Sequence, residues 1–377
     1  MRQFILKKIN SKIHISWLTI FLIFLSGVGL ILFSHYDSGL YQAPIGQIVS
    51  VKNGKSQKQV DQFNNIDYST NQKLTVKILN GKHKNETYQL ENNYSKSNAT
   101  DLQYKKNQRI FLHVINHQKW NSKNLMIQGL KRDTSLIFLF WLTIIIILVV
   151  LKFKGSMALL SVIINATILY ISIKIDVMTS INPFVIFTVL SIIFTGVTSL
   201  LIFGKSKETA VAFFSTIIGT ALSLAISYLV LKITNQNGVN FEMMEYVTQD
   251  RVPLFFAASM IGSLGAIMDL SADITSSLFE VFKENPSLSK WQLFLTGRKI
   301  GSSIMGPLVN VLFLIFIAVT FPMLILFLDN GNAWGYTFYM IMSLGVVQSL
   351  ISAIGIALTV PITSMIASSL CRTKVIK

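Results

Sequence analysis

Repeated apolar runs of membrane-crossing length constrain this chain more than any other feature. Crossing roughly 30 Å of hydrocarbon at about 1.5 Å per residue takes about 20 apolar residues. Runs at 15–34, 134–151, 156–175, 182–203, 209–231, 253–272, 302–328 and 336–368 meet that requirement. They predict an α-helical polytopic membrane protein with eight transmembrane helices. The last two runs are long enough to tilt or break, and Pro361 is the expected break. Composition agrees: 51% of the 377 residues are hydrophobic and only 13% are charged, against about a quarter charged in a soluble protein.

Charge sets the expected orientation. The basic N-terminus, the loops at Lys152/Lys154, Lys205/Lys207 and 273–301, and the tail with Arg372, Lys374 and Lys377 alternate onto one side and hold 15 Lys and Arg. The short loops opposite hold three, Lys174, Lys232 and Arg251. Lys and Arg concentrate in cytoplasmic loops, so both termini are expected in the cytoplasm and residues 36–133 outside it. The first run follows Arg2, Lys7, Lys8 and Lys12 but ends Ser34-His35-Tyr36, without a small-x-small cleavage signal, and reads as a retained signal anchor. The domain reading is therefore a cytoplasmic N-terminus and first helix (1–35), an extracytoplasmic basic domain (36–133) and a seven-helix membrane domain (134–377). The Lys, Asn and Ile bias fits an AT-rich bacterial genome, and the expected location is a bacterial plasma membrane.

Residues 36–133 carry 15 Lys and Arg against 7 Asp and Glu. Their pattern is β: 46–51, 73–79 and 110–115 alternate or run apolar over strand length, and Asn80-Gly81 before Thr87–Leu90 is a hairpin signal. A small all-β domain of about five strands, OB-like or SH3-like, is expected. Its positive surface suits lipid headgroups, an anionic envelope polymer or a partner membrane protein, although solubility alone explains such a surface equally well. The net charge of +16 follows from orientation signals and points to the lipid bilayer as partner, not to nucleic acid.

Ionisable residues within a span are costly and therefore mark candidate sites. The sharpest is Asp269. Ala258, Gly262 and Ala266 recur every four residues as a small-residue ridge, with Asp269 and Asp273 continuing the same face. That placement predicts a carboxylate facing the bundle interior. Ser302, Gly306 and Asn310 form a similar stripe just after Arg298 and Lys299. Gln348, Ser352, Gly355 and Thr359 form another, and Thr216, Gly219, Ser223 and Ser227 a fourth. Together, with Asn165 in reach, they would enclose a polar cavity around Asp269. The competing reading is structural: the small residues pack helices, and Asp269 is a wet helix end or a clamp to Arg298 or Lys299.

Other signals carry less. Gly204-Lys205-Ser206 and Gly54-Lys55-Ser56 lack the earlier glycine of a phosphate loop, since Ser199 and Val49 stand there. His113 and His117 sit in a strand running into a loop, where a surface pair outweighs a metal site. The sequons at Asn85, Asn93 and Asn98 are expected by chance in Asn-rich sequence. The lone Cys371 excludes an internal disulfide framework and a Cys-based zinc site. No cofactor is expected, and no hydrolase arrangement appears in the spans, so a non-enzymatic role is expected.

The segments Gly262–Leu270, with its Gly-Ala-Ile-Met-Asp core, Asn285–Lys290, Gly301–Asn310 and Leu358–Thr363 resemble the YibE/F-like family of bacterial membrane proteins. The resemblance covers most of 40–370, and Asp269 and Asn310 fall on its motif positions. It implies an N-terminal span, a small outer domain and a multi-helix block, but no substrate. The leading functional expectation is thus a permease or transporter-like protein, with Asp269 as an ion-coupling or gating residue and Asn310 beside it. The rival is a membrane-anchored envelope interaction or assembly protein acting through the outer domain without transport.

Overall fold

The structure, a computed structural model, describes residues 17–62, 64–98, 101–115, 120–179, 181–236, 239–244 and 251–371. His117, Thr100 of one sequon, and the basic residues Arg2, Lys7, Lys8, Lys12, Arg372, Lys374 and Lys377 lie outside them. The chain forms two units that divide at Val150/Leu151. Among the described residues eight helices are long and apolar enough to cross a membrane. Lys152, at φ 51° and ψ −128°, separates the second from the third.

The first unit contains α1 (Trp17–Tyr36), a five-stranded sheet and α2 (Asp133–Lys152). The strands are β1 (Ile45–Val60), β2 (Ile66–Ile78), β3 (Thr87–Ser95), β4 (Arg109–Val114) and β5 (Leu125–Leu130), ordered β3-β2-β1-β4-β5 and antiparallel throughout. Alternation places Ile48, Leu74, Val76, Leu90, Ile110, Leu112 and Leu125 in one core. The β2–β3 connection is longer than a two-residue turn, with both Gly81 and Asn85 at positive φ. β1 and β2 run on as an exposed ribbon of Lys, Asn, Gln and Ser beyond the apolar segments, so their lengths were not apparent from hydropathy. Gln72 is fully buried inside the sheet. Its amide donates to Asn53 Oδ1 (3.0 Å) and the Tyr104 carbonyl (2.9 Å) and accepts from Tyr104 N (3.1 Å), which removes the cost of an unpaired buried amide.

Two contacts join α1 to α2: Gly27 leaves room for the Trp141 ring, whose Nε1 donates to Ser26 Oγ (3.1 Å), and the Ser34 and Thr134 hydroxyls meet at 2.5 Å. Beside them Lys131, its side chain 2% exposed, lies 2.9 Å from each of Asp37 and Asp133. The Tyr41 hydroxyl donates to Asp133, and that hydrogen bond, with burial and the two carboxylate charges, holds the phenol well above its usual pKa. Asn80 completes the seat: its Oδ1 accepts from Ile45 N (2.7 Å), and its amide donates to the carbonyls of Tyr41 and Ala43.

The second unit contains α3 (Gly155–Met178), α4 (Pro183–Phe203), α5 (Lys207–Ile233), α6 (Arg251–Glu284), α7 (Lys290–Asp329) and α8 (Trp334–Cys371). α6 is central, packing against α4, α5, α7 and α8. Two expectations are corrected. Residues 273–301 are mostly helix, because the apolar stripe of α6 continues through Ile274 and Leu278 while charges occupy the opposite face. The Ser289/Gln292 capping box then starts α7 well before residue 302. Pro361 does not break α8, which stays helical through it; the irregular turn is a π segment at Phe338–Met342.

Removing Lys131 would leave two carboxylates facing each other in a dry site. Lys131→Met should destabilise the first unit by about 3 kcal/mol or more, and adding Asp37→Asn and Asp133→Asn should recover part of the loss. Thermal unfolding of the reconstituted protein and proteolysis within 36–131 report both effects.

Candidate functional site

α6 carries two faces of opposite character. Met260, Leu264, Ile267, Leu270, Ile274 and Leu278 form its buried stripe, interleaved with the buried hydroxyls of Ser263, Ser271 and Thr275. At about 100° per residue, Ala258, Gly262, Gly265, Asp269, Asp273 and Glu280 fall on the opposite side. All six are exposed in the single chain. The interior-facing expectation for Asp269 is therefore corrected. The spacing rightly groups the ridge on one face, but the larger apolar side chains claim the core and turn that face outward.

The polar stripes of α5 and α8 do face inward, and they are packed. A Cβ on Gly219 would run into the Thr359 hydroxyl, and one on Gly355 would lie 2.5 Å from Ile267 Cδ1. Ser223 Oγ donates to the Ile351 carbonyl, Ser271 Oγ to the Ala212 carbonyl (3.3 Å), and Thr359 Oγ1 back to its own helix at Gly355 (2.7 Å). On α7, a Cβ at Gly297 would meet Ser364 Oγ at 2.6 Å and one at Gly301 would meet Val360 at 2.6 Å. These small residues let helix backbones approach closely. They do not wall a cavity around Asp269.

The other candidates separate into three places. Gln348 reaches α6, its Nε2 lying 3.5 Å from the Ala258 carbonyl and 3.2 Å from where a Gly262 Cβ would stand. It is thus the one residue of the α8 stripe brought to the Asp269 face. Ala266 is half-buried at the edge of the core. Arg298, Gly306 and Asn310 are exposed on α7, with Arg298 over the Phe294 ring at 5.8 Å. Among the described residues neither Asp269 nor Asp273 forms an ion pair, so the clamp to Arg298 or Lys299 is absent. Asn165 belongs to another seam, donating to Thr198 Oγ1 (2.8 Å) between α3 and α4. His113 is exposed on β4.

A second concavity went unread in the sequence. A cleft of about 520 Å³ opens between α4, α5 and α6, lined by Phe184, Ile217, Leu224, Tyr228, Phe256 and Met260. The Thr220 hydroxyl borders it with no hydrogen-bond partner among the described residues. Its residues look like ordinary span residues, and only the helix packing gathers them. An ionic path is not favoured through so apolar a lining.

The two classes of glycine respond differently to the same change. Gly301→Leu should destabilise the second unit by about 1–3 kcal/mol or more through overpacking and broaden its gel-filtration profile in detergent. Gly265→Leu, where an added Cβ meets nothing within 4 Å, should leave the fold intact.

Neither the curated proteins nor the solved structures compared contain a match to this chain. Two family profiles do match, one described as YibE/F family N-terminal domain over residues 39–130 and one as YibE/F-like protein over residues 139–373. They span the sheet and the helices that carry the Asp269 face, and the chain belongs to the YibE/F family.

Proposed function

We propose that the protein is a non-enzymatic, permease-like component of a bacterial plasma membrane. In this reading both termini are cytoplasmic and the sheet, an OB-like or SH3-like module, lies outside. An ion or small polar solute passes along the outward polar face of α6, with Asp269 as the ion-coupling or gating carboxylate. The observation that carries the reading is that Asp269 is exposed and without a cationic partner among the described residues of a long apolar helix. A carboxylate at the centre of a span costs about 2.5–3.5 kcal/mol on insertion scales and more in isolation. The low-cost arrangement is therefore a hydrated groove beside α6. Ala258, Gly262 and Gly265 keep large side chains off that face, and Gln348 supplies an amide beside it. A second copy of the chain, or another membrane protein, would close the open side.

The packed seams of α5 and α8 favour a second reading, in which this face is an assembly surface and nothing is transported. Water discriminates the two. In a Cys371→Ser background, single cysteines at Gly262, Gly265, Asp269 and Asp273 should react with membrane-impermeant thiol reagents added from either side. An Asp269→Asn variant should then lose at least about tenfold in flux if the carboxylate couples an ion. Dry positions that instead form disulfides between copies would sink the transport reading and support assembly.

A further inference from the structure

We propose that a cleft at the foot of the sheet binds the phosphate of an anionic membrane lipid, with Arg109 as its cation. The cleft, about 540 Å³, is bordered by His35, Gln47, Gln108, Arg109, Lys131 and Thr134, and none of its described lining residues is itself a carboxylate. Arg109 opens β4 directly opposite Gln47 of β1, and its carbonyl accepts from Lys131 N (2.8 Å), so two rigid strands hold both side chains at the cleft.

Two neighbouring cations have different fates. Lys131, which also borders the cleft, is ion-paired with both Asp37 and Asp133. Among the described residues no carboxylate pairs with Arg109, whose guanidinium donates to the His35 carbonyl and to His35 Nε2 (3.2 Å). The guanidinium has no direct ion pair, although the Lys131 cluster beside it sets two carboxylates against one cation, and three of its five N–H groups remain to be used. A planar fork with free donors in a carboxylate-free cleft matches phosphate oxygens. Lys105 and Lys106, exposed in the loop leading into β4, add attraction of the same sign.

Position selects the source of the phosphate. His35 lies in the last turn of α1 and Thr134 in the first turn of α2. Exposed Leu32, Phe33 and Leu136 stand on the helix side of the cleft, and the polar sheet stands on the other. Once the apolar helices are in a bilayer, which is the membrane reading above, the cleft sits at headgroup level with acyl-compatible surface beneath it.

The test uses the full chain in phosphatidylcholine nanodiscs, titrated with short-chain phosphatidylglycerol, short-chain phosphatidylcholine or inorganic phosphate, and read by native mass spectrometry and thermal shift. Wild-type protein should retain and be stabilised by phosphatidylglycerol over phosphatidylcholine. Arg109→Gln should weaken that binding about tenfold. Gln47→Glu, which leaves the Arg109–His35 contact in place, should weaken it similarly, so a folding defect in the first variant does not hide the result. Equal retention of phosphatidylglycerol by both variants overturns the proposal. So does inorganic phosphate, or an added anionic envelope polymer, protecting through Arg109 where the lipid does not. Failure to enter phosphatidylcholine discs at all would refute the membrane reading instead, a separable outcome.

Discussion

The close approach of helix backbones at Gly219, Gly297, Gly301 and Gly355 governs the second unit. Within hydrocarbon, apolar side chains gain little by leaving lipid for each other, so association rests on van der Waals fit and a few interhelical hydrogen bonds. Each of these glycines removes a Cβ where a neighbouring side chain, Thr359, Ser364, Val360 or Ile267, occupies the space. α5, α7 and α8 thereby close on the Ile267–Leu278 stripe of α6. That closure fixes where the acids go. Asp269 stands two residues after Ile267, about 200° around the helix, so burying Ile267 turns Asp269 outward.

The sequence shows the elements more fully than their facing. Apolar length anticipated the number of long apolar helices among the described residues, though not all of their bounds. It failed at 273–301, where Lys283, Glu284, Lys290 and Lys299 lower the mean hydropathy although Ile274, Leu278, Leu293 and Gly297 continue a buried stripe. Four-residue spacing grouped Ala258, Gly262 and Ala266 with Asp269, yet Ala266 packs at the core edge while the other three are exposed, since a period says which residues lie near one face and not what lies opposite it. The stripes on α5 and α8 look alike in sequence, and only the partners they meet make them seams. In the first unit, Lys131 and Asp37 are 94 positions apart, a pairing that local pattern cannot disclose.

The charge cluster around Lys131 has a consequence for the sheet. Asp37 follows α1, Asp133 opens α2, and Lys131 follows β5 by one residue, so a single cation ties three chain segments at one point. Buried pairs are weak net stabilisers against apolar substitutes, but they are costly to leave half-made. Such a cluster tolerates few alternative arrangements of the segments that contribute to it. The adjoining Arg109 is held by the same frame through the Lys131 amide without sharing in the neutralisation, so one cation serves the fold while the other keeps its charge.

The outer surfaces of the second unit differ in what they can face. α3 exposes Val162, Ile163 and Ile171, which lipid covers at no polar cost. α6 exposes Asp269 and Asp273 beyond Gly262 and Gly265, carboxylates that lipid would cover only with a penalty of several kcal/mol for the pair. The α6 face is acidic and lightly covered, because Gly262 and Gly265 carry no side chain there. An outward acidic face and the glycine contacts of α5, α7 and α8 both follow from one packing choice.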